Sequence, residues 1–88
     1  MPLFYFDIST DGVLTRDVRG QELPDRDAAQ REAAEALESI IRDTPRPDRS
    51  YSIMVVVRDA DDKPFLVARM IREIERLDQF SDRQFGMP

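Results

Sequence analysis

Asp11-Gly12 constrains this chain more than any other pair of residues. Before it, Leu3 to Thr10 alternates as a strand does, with Phe4, Phe6 and Ile8 on one face and Leu3, Tyr5 and Asp7 on the other. After it, Val13 to Val18 returns with Val13 and Leu14 as its main apolar members. Glycine accepts the positive φ of a type I′ turn, so the two runs are predicted to form an antiparallel hairpin. The polarity of the second run points to an edge position, and Arg19-Gly20 ends it.

Leu23-Pro24-Asp25 opens a helix. Asp25 is the N-cap and Asp27 places a negative charge at the positive end of the helix dipole. Ala29, Ala33, Ala36, Leu37, Ile40 and Ile41 recur on one stripe, while Arg31, Glu32, Glu35, Glu38 and Arg42 cover the opposite side. The small residues come first, so the helix should approach a sheet closely at its start. Thr44-Pro45 stops it, because a residue before proline avoids the α region.

Tyr51 to Arg58 is the second central strand, with Ile53, Val55 and Val57 on one face and Met54 and Val56 on the other. Asp59 to Lys63 is a polar turn. Beyond it two periods coincide. Phe65, Val67 and Ile71 alternate with Leu66, Ala68 and Met70, yet Val67, Met70, Ile71, Ile74 and Leu77 also fit a helix. The reading is strand to about Met70 and then a helical turn or two, which leaves residues 71–77 open between strand and short helix.

The expected fold is therefore α+β, in the order β-β-α-β-β. A small four-stranded antiparallel sheet of order 2-1-3-4 carries one main helix on one face, with room for a short C-terminal helix. Residues 1–77 make a single domain and residues 78–88 a flexible tail. Phe4, Phe6, Leu37, Ile40, Ile53 and Val55 are the predicted core. The uncovered face carries Tyr5, Met54, Val56 and either Phe65 or Val67.

An 88-residue chain has one modest core and a thin stability margin. With no cysteine and no histidine, neither a disulfide framework nor a structural zinc site can supplement it. Association with another chain is the remaining remedy. The longest apolar run, Ile53 to Val57, is too short to span a bilayer, and no secretory signal is visible, so the expected home is the cytoplasm, with no membrane contact. A formal charge of −5 disfavours a nucleic-acid partner. Lys63 is the single lysine among many arginines, a bias that fits a GC-rich bacterial genome.

Each chemical motif has a plainer competitor. An EF-hand loop starting at Asp59 needs glycine sixth and glutamate twelfth, where this chain has Pro64 and Met70. Glu32, Glu35 and Glu38 lack the histidine of a di-iron set and sit opposite the apolar stripe. Asp7 and Asp17 meet across the first hairpin as like charges, an arrangement that raises a pKa, but a general acid or base also needs a cleft. The serines have no histidine or lysine to activate them. Arg46, Arg49, Tyr51 and Arg58, followed by Arg69, Arg72 and Arg76, outline a basic strip, interrupted by Asp48, Asp59, Glu73 and Glu75.

Three segments together resemble a known family: Met-Pro-Leu-Phe-Tyr-Phe-Asp-Ile at 1–8 with the Asp11-Gly12 turn, the stretch from Arg19-Gly20-Gln-Glu-Leu-Pro-Asp25 into the alanine-rich helix, and Val55 to Val67. They are similar to a domain-of-unknown-function family of small proteins from rhizobia and related alphaproteobacteria. The resemblance covers about residues 1–72. It implies a bacterial origin and the strand–helix–strand plan, and brings no activity, cofactor or catalytic residue. The strand pair, turn and helix also resemble the small α+β domain of HicB-type antitoxins.

The function is thus unknown from sequence. The preferred expectation is a non-catalytic interaction module, without cofactor or metal, that self-associates as a homodimer through Tyr5, Met54, Val56 and Val67 or through the edge strand Val13 to Val18, unless Ile71 to Leu77 folds back as a helix over the same face and keeps the chain monomeric. An unidentified protein partner is also open. The alternative is an antitoxin-like or nucleic-acid-linked regulator; an enzyme is the least favoured class.

Overall fold

A computed structural model describes residues 1–43 and 49–79. The elements are β1 (Leu3–Thr10), β2 (Val13–Thr15), β3 (Gln21–Glu22), α1 (Arg26–Asp43), β4 (Tyr51–Arg58), β5 (Pro64–Arg72) and a 3-10 turn (Leu77–Gln79). The sheet runs β2-β1-β4-β5 with every pairing antiparallel, and β3 joins β1 on the same side as β2. This is the expected α+β plan and strand order with one small strand added. Asp11 at φ 50° and Gly12 at φ 87° make the turn that joins β1 to β2, both on the positive side as a type I′ turn requires.

The second strand is shorter than its sequence pattern, ending at Thr15 rather than Val18. Chain 16–20 leaves the ladder because a side chain takes over its hydrogen bond. The Asp17 carboxylate accepts the Phe6 N–H at 3.0 Å. Gly20, at φ 74°, then turns the chain back against β1, where β3 pairs Phe4 with Gln21. A Cβ at Gly20 would sit 2.9 Å from a Tyr5 ring carbon and 3.1 Å from the Phe4 carbonyl oxygen, so this return needs glycine twice over.

The Asp25 carboxylate accepts the Ala28 N–H at 2.8 Å, capping α1. Ala28, Ala29, Ala33 and Leu37 are buried, whereas Ala36, Ile40 and Ile41 are only partly so. The alanine end is the close end, as its small side chains allow. The helix lies over β4 and β5, not over the centre of β1, so Phe6 and Ile40 line the core margin instead of filling it. Phe4, Leu37, Tyr51, Ile53, Val55 and Val57 form its centre. The helix ends at Asp43; the Thr44-Pro45 stop lies outside the described residues.

A register shift between Val57 and Arg58 settles which side Phe65 takes. Its ring meets Phe4 edge-on at 5.8 Å and lies 4.5 Å beneath the Arg26 guanidinium, on the helix side. Val67, opposite Val56, is the residue on the open face. The helical period beyond Met70 does not prevail. β5 continues to Arg72, whose guanidinium lies 4.7 Å from the Tyr51 ring, and the Ile74 N–H donates to Ser50 Oγ at 2.9 Å. Pairing with β4 outweighs a local periodicity, and only the turn at Leu77–Gln79 is helical in this region. Asp78 belongs to that turn; the rest of the expected tail, residues 80–88, lies outside the described residues.

Candidate functional site

The face of the sheet turned away from α1 is built by alternation. Registers place Leu14, Ser9, Met54 and Arg69 in one row across the strands, and Asp7, Val56 and Val67 in the next. Tyr5 stands opposite Arg58, and Ser52 opposite Ile71. All four residues expected on this face, Tyr5, Met54, Val56 and Val67, are there. Leu14 and Ile71 extend it and are exposed; period-2 counting with the observed register would have found both. Met54 and Val56 are half-buried among their neighbours, while Val67 is 48% and Ile71 55% exposed. The patch is thus most open at the two edge strands, β2 and β5.

Its other end is ionic. Arg58 is 8% and Asp7 7% exposed, and each satisfies the other. Arg58 Nε donates to Asp7 Oδ2 at 2.7 Å and a terminal nitrogen donates to Oδ1 at 3.0 Å. That terminal nitrogen also donates to the Asp17 carbonyl at 2.8 Å, and the second one donates to Asp62. The guanidinium lies 4.7 Å from the Tyr5 ring. Arg16 donates to Asp62 from the outside at 3.0 Å. A buried ion pair of this kind persists because its remaining hydrogen-bonding groups are also met.

Asp7 and Asp17 do come together, since the Asp17 N–H donates to Asp7 Oδ1 at 2.9 Å. The consequence is opposite to a like-charge pair with raised pKa. The hydrogen bond from Arg58 holds the Asp7 carboxyl below its ordinary value, against the opposing effect of burial. For Asp17, burial raises the pKa, but the amides of Phe6, Gly20 and Arg19 outweigh it and leave the carboxyl lowered. Arg58 is raised, chiefly by its bond to Asp7. Both carboxylates are committed to holding the chain 16–20 against β1. No signal in the sequence identified Arg58 as their partner, because the contact spans 51 residues of chain.

The other candidates are dispersed. Asp59 Oδ1 accepts the N–H groups of Asp61 and Lys63, so it organises its own hairpin turn. Glu35 and Glu38 are exposed and Glu32 half-buried. A groove of about 420 Å3 between α1 and β5 includes Glu38 beside Leu37, Leu66 and Met70 and, among the described residues, brings no second carboxylate to it. The described arginines do not make a strip. Arg58 is buried on the open face, Arg72 stacks on Tyr51 on the helix side, Arg69 stands on the open face, and Arg76 pairs with Asp78. Arg46 lies outside the described residues. No helix of the described residues is long and apolar enough to cross a membrane.

A family model described as Domain of unknown function (DUF6894) matches residues 3–76. No curated protein and no solved structure matches the chain.

Proposed function

We propose that this chain, which belongs to the DUF6894 family of unknown function, is a non-catalytic interaction module that associates with itself. One observation carries the reading. Of the large apolar side chains left exposed among the described residues, Val67 and Ile71 on β5 and Leu14 on β2 share the open face of the sheet. Contiguous exposed apolar surface on a small chain marks an interface, and a symmetric pair is the commonest way to cover it. Tyr5, Met54 and Val56 continue the patch inward. The absence of catalysis in this reading rests on Asp7 and Asp17, the carboxylates nearest to a site, both of which are held ionised by structural bonds.

A bacterial, cytoplasmic setting is part of the proposal, supported by the arginine bias and by the resemblance of the first strand and helix entry. The test is the molar mass of the protein in solution across a dilution series. Association that strengthens with concentration supports the module; a single-chain mass at every concentration overturns it. Hydrolytic or transfer activity in the purified protein that is lost on changing Asp7 or Asp17 to asparagine, with the fold retained, would overturn the non-catalytic part.

A further inference from the structure

The two edges of the sheet are treated differently. On one, β2 and β3 are short and the gap between them is closed by Asp17, whose carboxylate takes the exposed N–H of Phe6. On the other, β5 runs unbroken from Pro64 to Arg72, and among the described residues no strand pairs with its outer side. Natural sheets protect a long edge by shortening, covering or breaking it. Here one edge is closed by a side chain, whereas the other is guarded at its start by Pro64 and a register shift and further along only by charged side chains.

The alternation of hydrogen bonds identifies which groups are free. The Asp11 N–H donates to the Ser52 carbonyl at 2.8 Å, so the odd-numbered residues of β1 turn their amides to β4. Phe6, bonded to Asp17, turns its own the other way. In an antiparallel ladder successive residues alternate in this sense. Ile53, Val55 and Val57 therefore face β5, opposite Met70, Ala68 and Leu66. Val67, Arg69 and Ile71 present their N–H and C=O groups to the free side. The strand sense persists beyond Arg72, because both backbone groups of Ile74 meet Ser50 Oγ, at 2.9 and 3.4 Å. Glu73 then faces outward as well.

The free edge reads Val67, Arg69, Ile71, Glu73 in outward-facing groups, and this order is self-complementary about Ile71. We infer that β5 pairs antiparallel with β5 of a second copy, with Ile71 opposite Ile71 on the two-fold axis and each Arg69 opposite the other copy's Glu73. Opposite charges directly across a strand pair are favourable and like charges unfavourable. Centring the pairing on Arg69 or on Glu73 would set like charges face to face. Centring it on Ile71 makes two ion pairs around an apolar contact. The product is one continuous sheet with both helices on one side and both open faces joined on the other.

This inference rests on the proposed self-association and specifies its route. Four variants separate the two ideas when their dissociation constants are measured by analytical ultracentrifugation, with circular dichroism confirming the fold. Arg69→Glu and Glu73→Arg should each weaken the dimer by about tenfold or more, the equivalent of about 1.4 kcal/mol. Combined in one chain they should restore it, since the charges are then exchanged across the same positions. Val56→Arg, on the face but away from the edge, should leave the dimer intact. Singles without effect, a double variant no better than the singles, or dissociation by Val56→Arg alone would each overturn the edge pairing while leaving self-association standing. A wild-type protein that never associates removes both.

Discussion

Arg58 grips Asp7 with two hydrogen bonds, 2.7 Å from Nε and 3.0 Å from a terminal nitrogen, in a part of the sheet where both side chains are buried. The pair fastens β4 to β1, and through the Asp17 carbonyl it also fastens the chain that links β2 to β3. Because Arg58 has no other buried anion among the described residues, Asp7→Asn is expected to destabilise the fold by about 3–5 kcal/mol, the usual effect of leaving one member of a buried pair alone. Urea denaturation measures it. A loss under about 1 kcal/mol would place the pair among surface ion pairs in strength.

The same network gives the protein an acid limit. Asp7 and Asp17 both titrate below the ordinary 3.8 in the folded chain. A group depressed in this way adds stability that is fully present above the unfolded value and is lost as the pH falls through the folded one. The urea midpoint should therefore hold steady from neutrality to about pH 5 and fall steeply below pH 4. In Asp17→Asn the fall should be shallower and the midpoint at pH 7 lower. A midpoint indifferent to pH between 5 and 2 would contradict the assignment.

Gly20 and Gly12 both have positive φ, but only Gly20 is crowded: nothing lies within 4 Å of a Cβ placed on Gly12. Gly12→Ala should cost about 1 kcal/mol from the backbone alone, and Gly20→Ala about 2–4 kcal/mol, since Tyr5 and the Phe4 carbonyl must also shift. Melting temperatures of the two variants give the order directly. Equal losses would mean that the return into β3 is not held as tightly as its geometry indicates.

Much of this fold is legible in the sequence, and the reasons are local. Asp11-Gly12, the Asp25 cap and the alternation in Tyr51 to Arg58 act through neighbours a few residues away, so each is visible in the order of residues. What is hidden depends on distant partners. β3 exists because Asp17 and Gly20 fold the chain back onto β1, and Phe65 takes the helix side because of a register shift between Val57 and Arg58 on the neighbouring strand. The helical spacing of Val67, Met70, Ile71 and Ile74 is real in the sequence, yet Tyr51 and Ser50 hold that segment extended. The open face could be named in advance since it needs only a period of two. The order 2-1-3-4 also puts the last strand at an edge; what stays hidden is that Asp17 closes the opposite edge, a contact made across 11 residues of chain.

The core gives a graded test of where α1 sits. Leu37 is buried and Ile40 is not fully so. Leu37→Ala should cost about 2–5 kcal/mol, and Ile40→Ala about half as much, because truncation of a partly exposed side chain leaves less of a cavity. Denaturant midpoints for the pair decide it, and the reverse order would mean that the helix end, rather than its middle, is pressed into the sheet.

Self-association is the claim on which the functional reading stands, and light scattering coupled to size-exclusion chromatography tests it most directly. The chain mass is 10.2 kDa. The account predicts a species of twice that mass at high protein concentration, declining towards the single chain on dilution. A mass of 10.2 kDa at every concentration would contradict it.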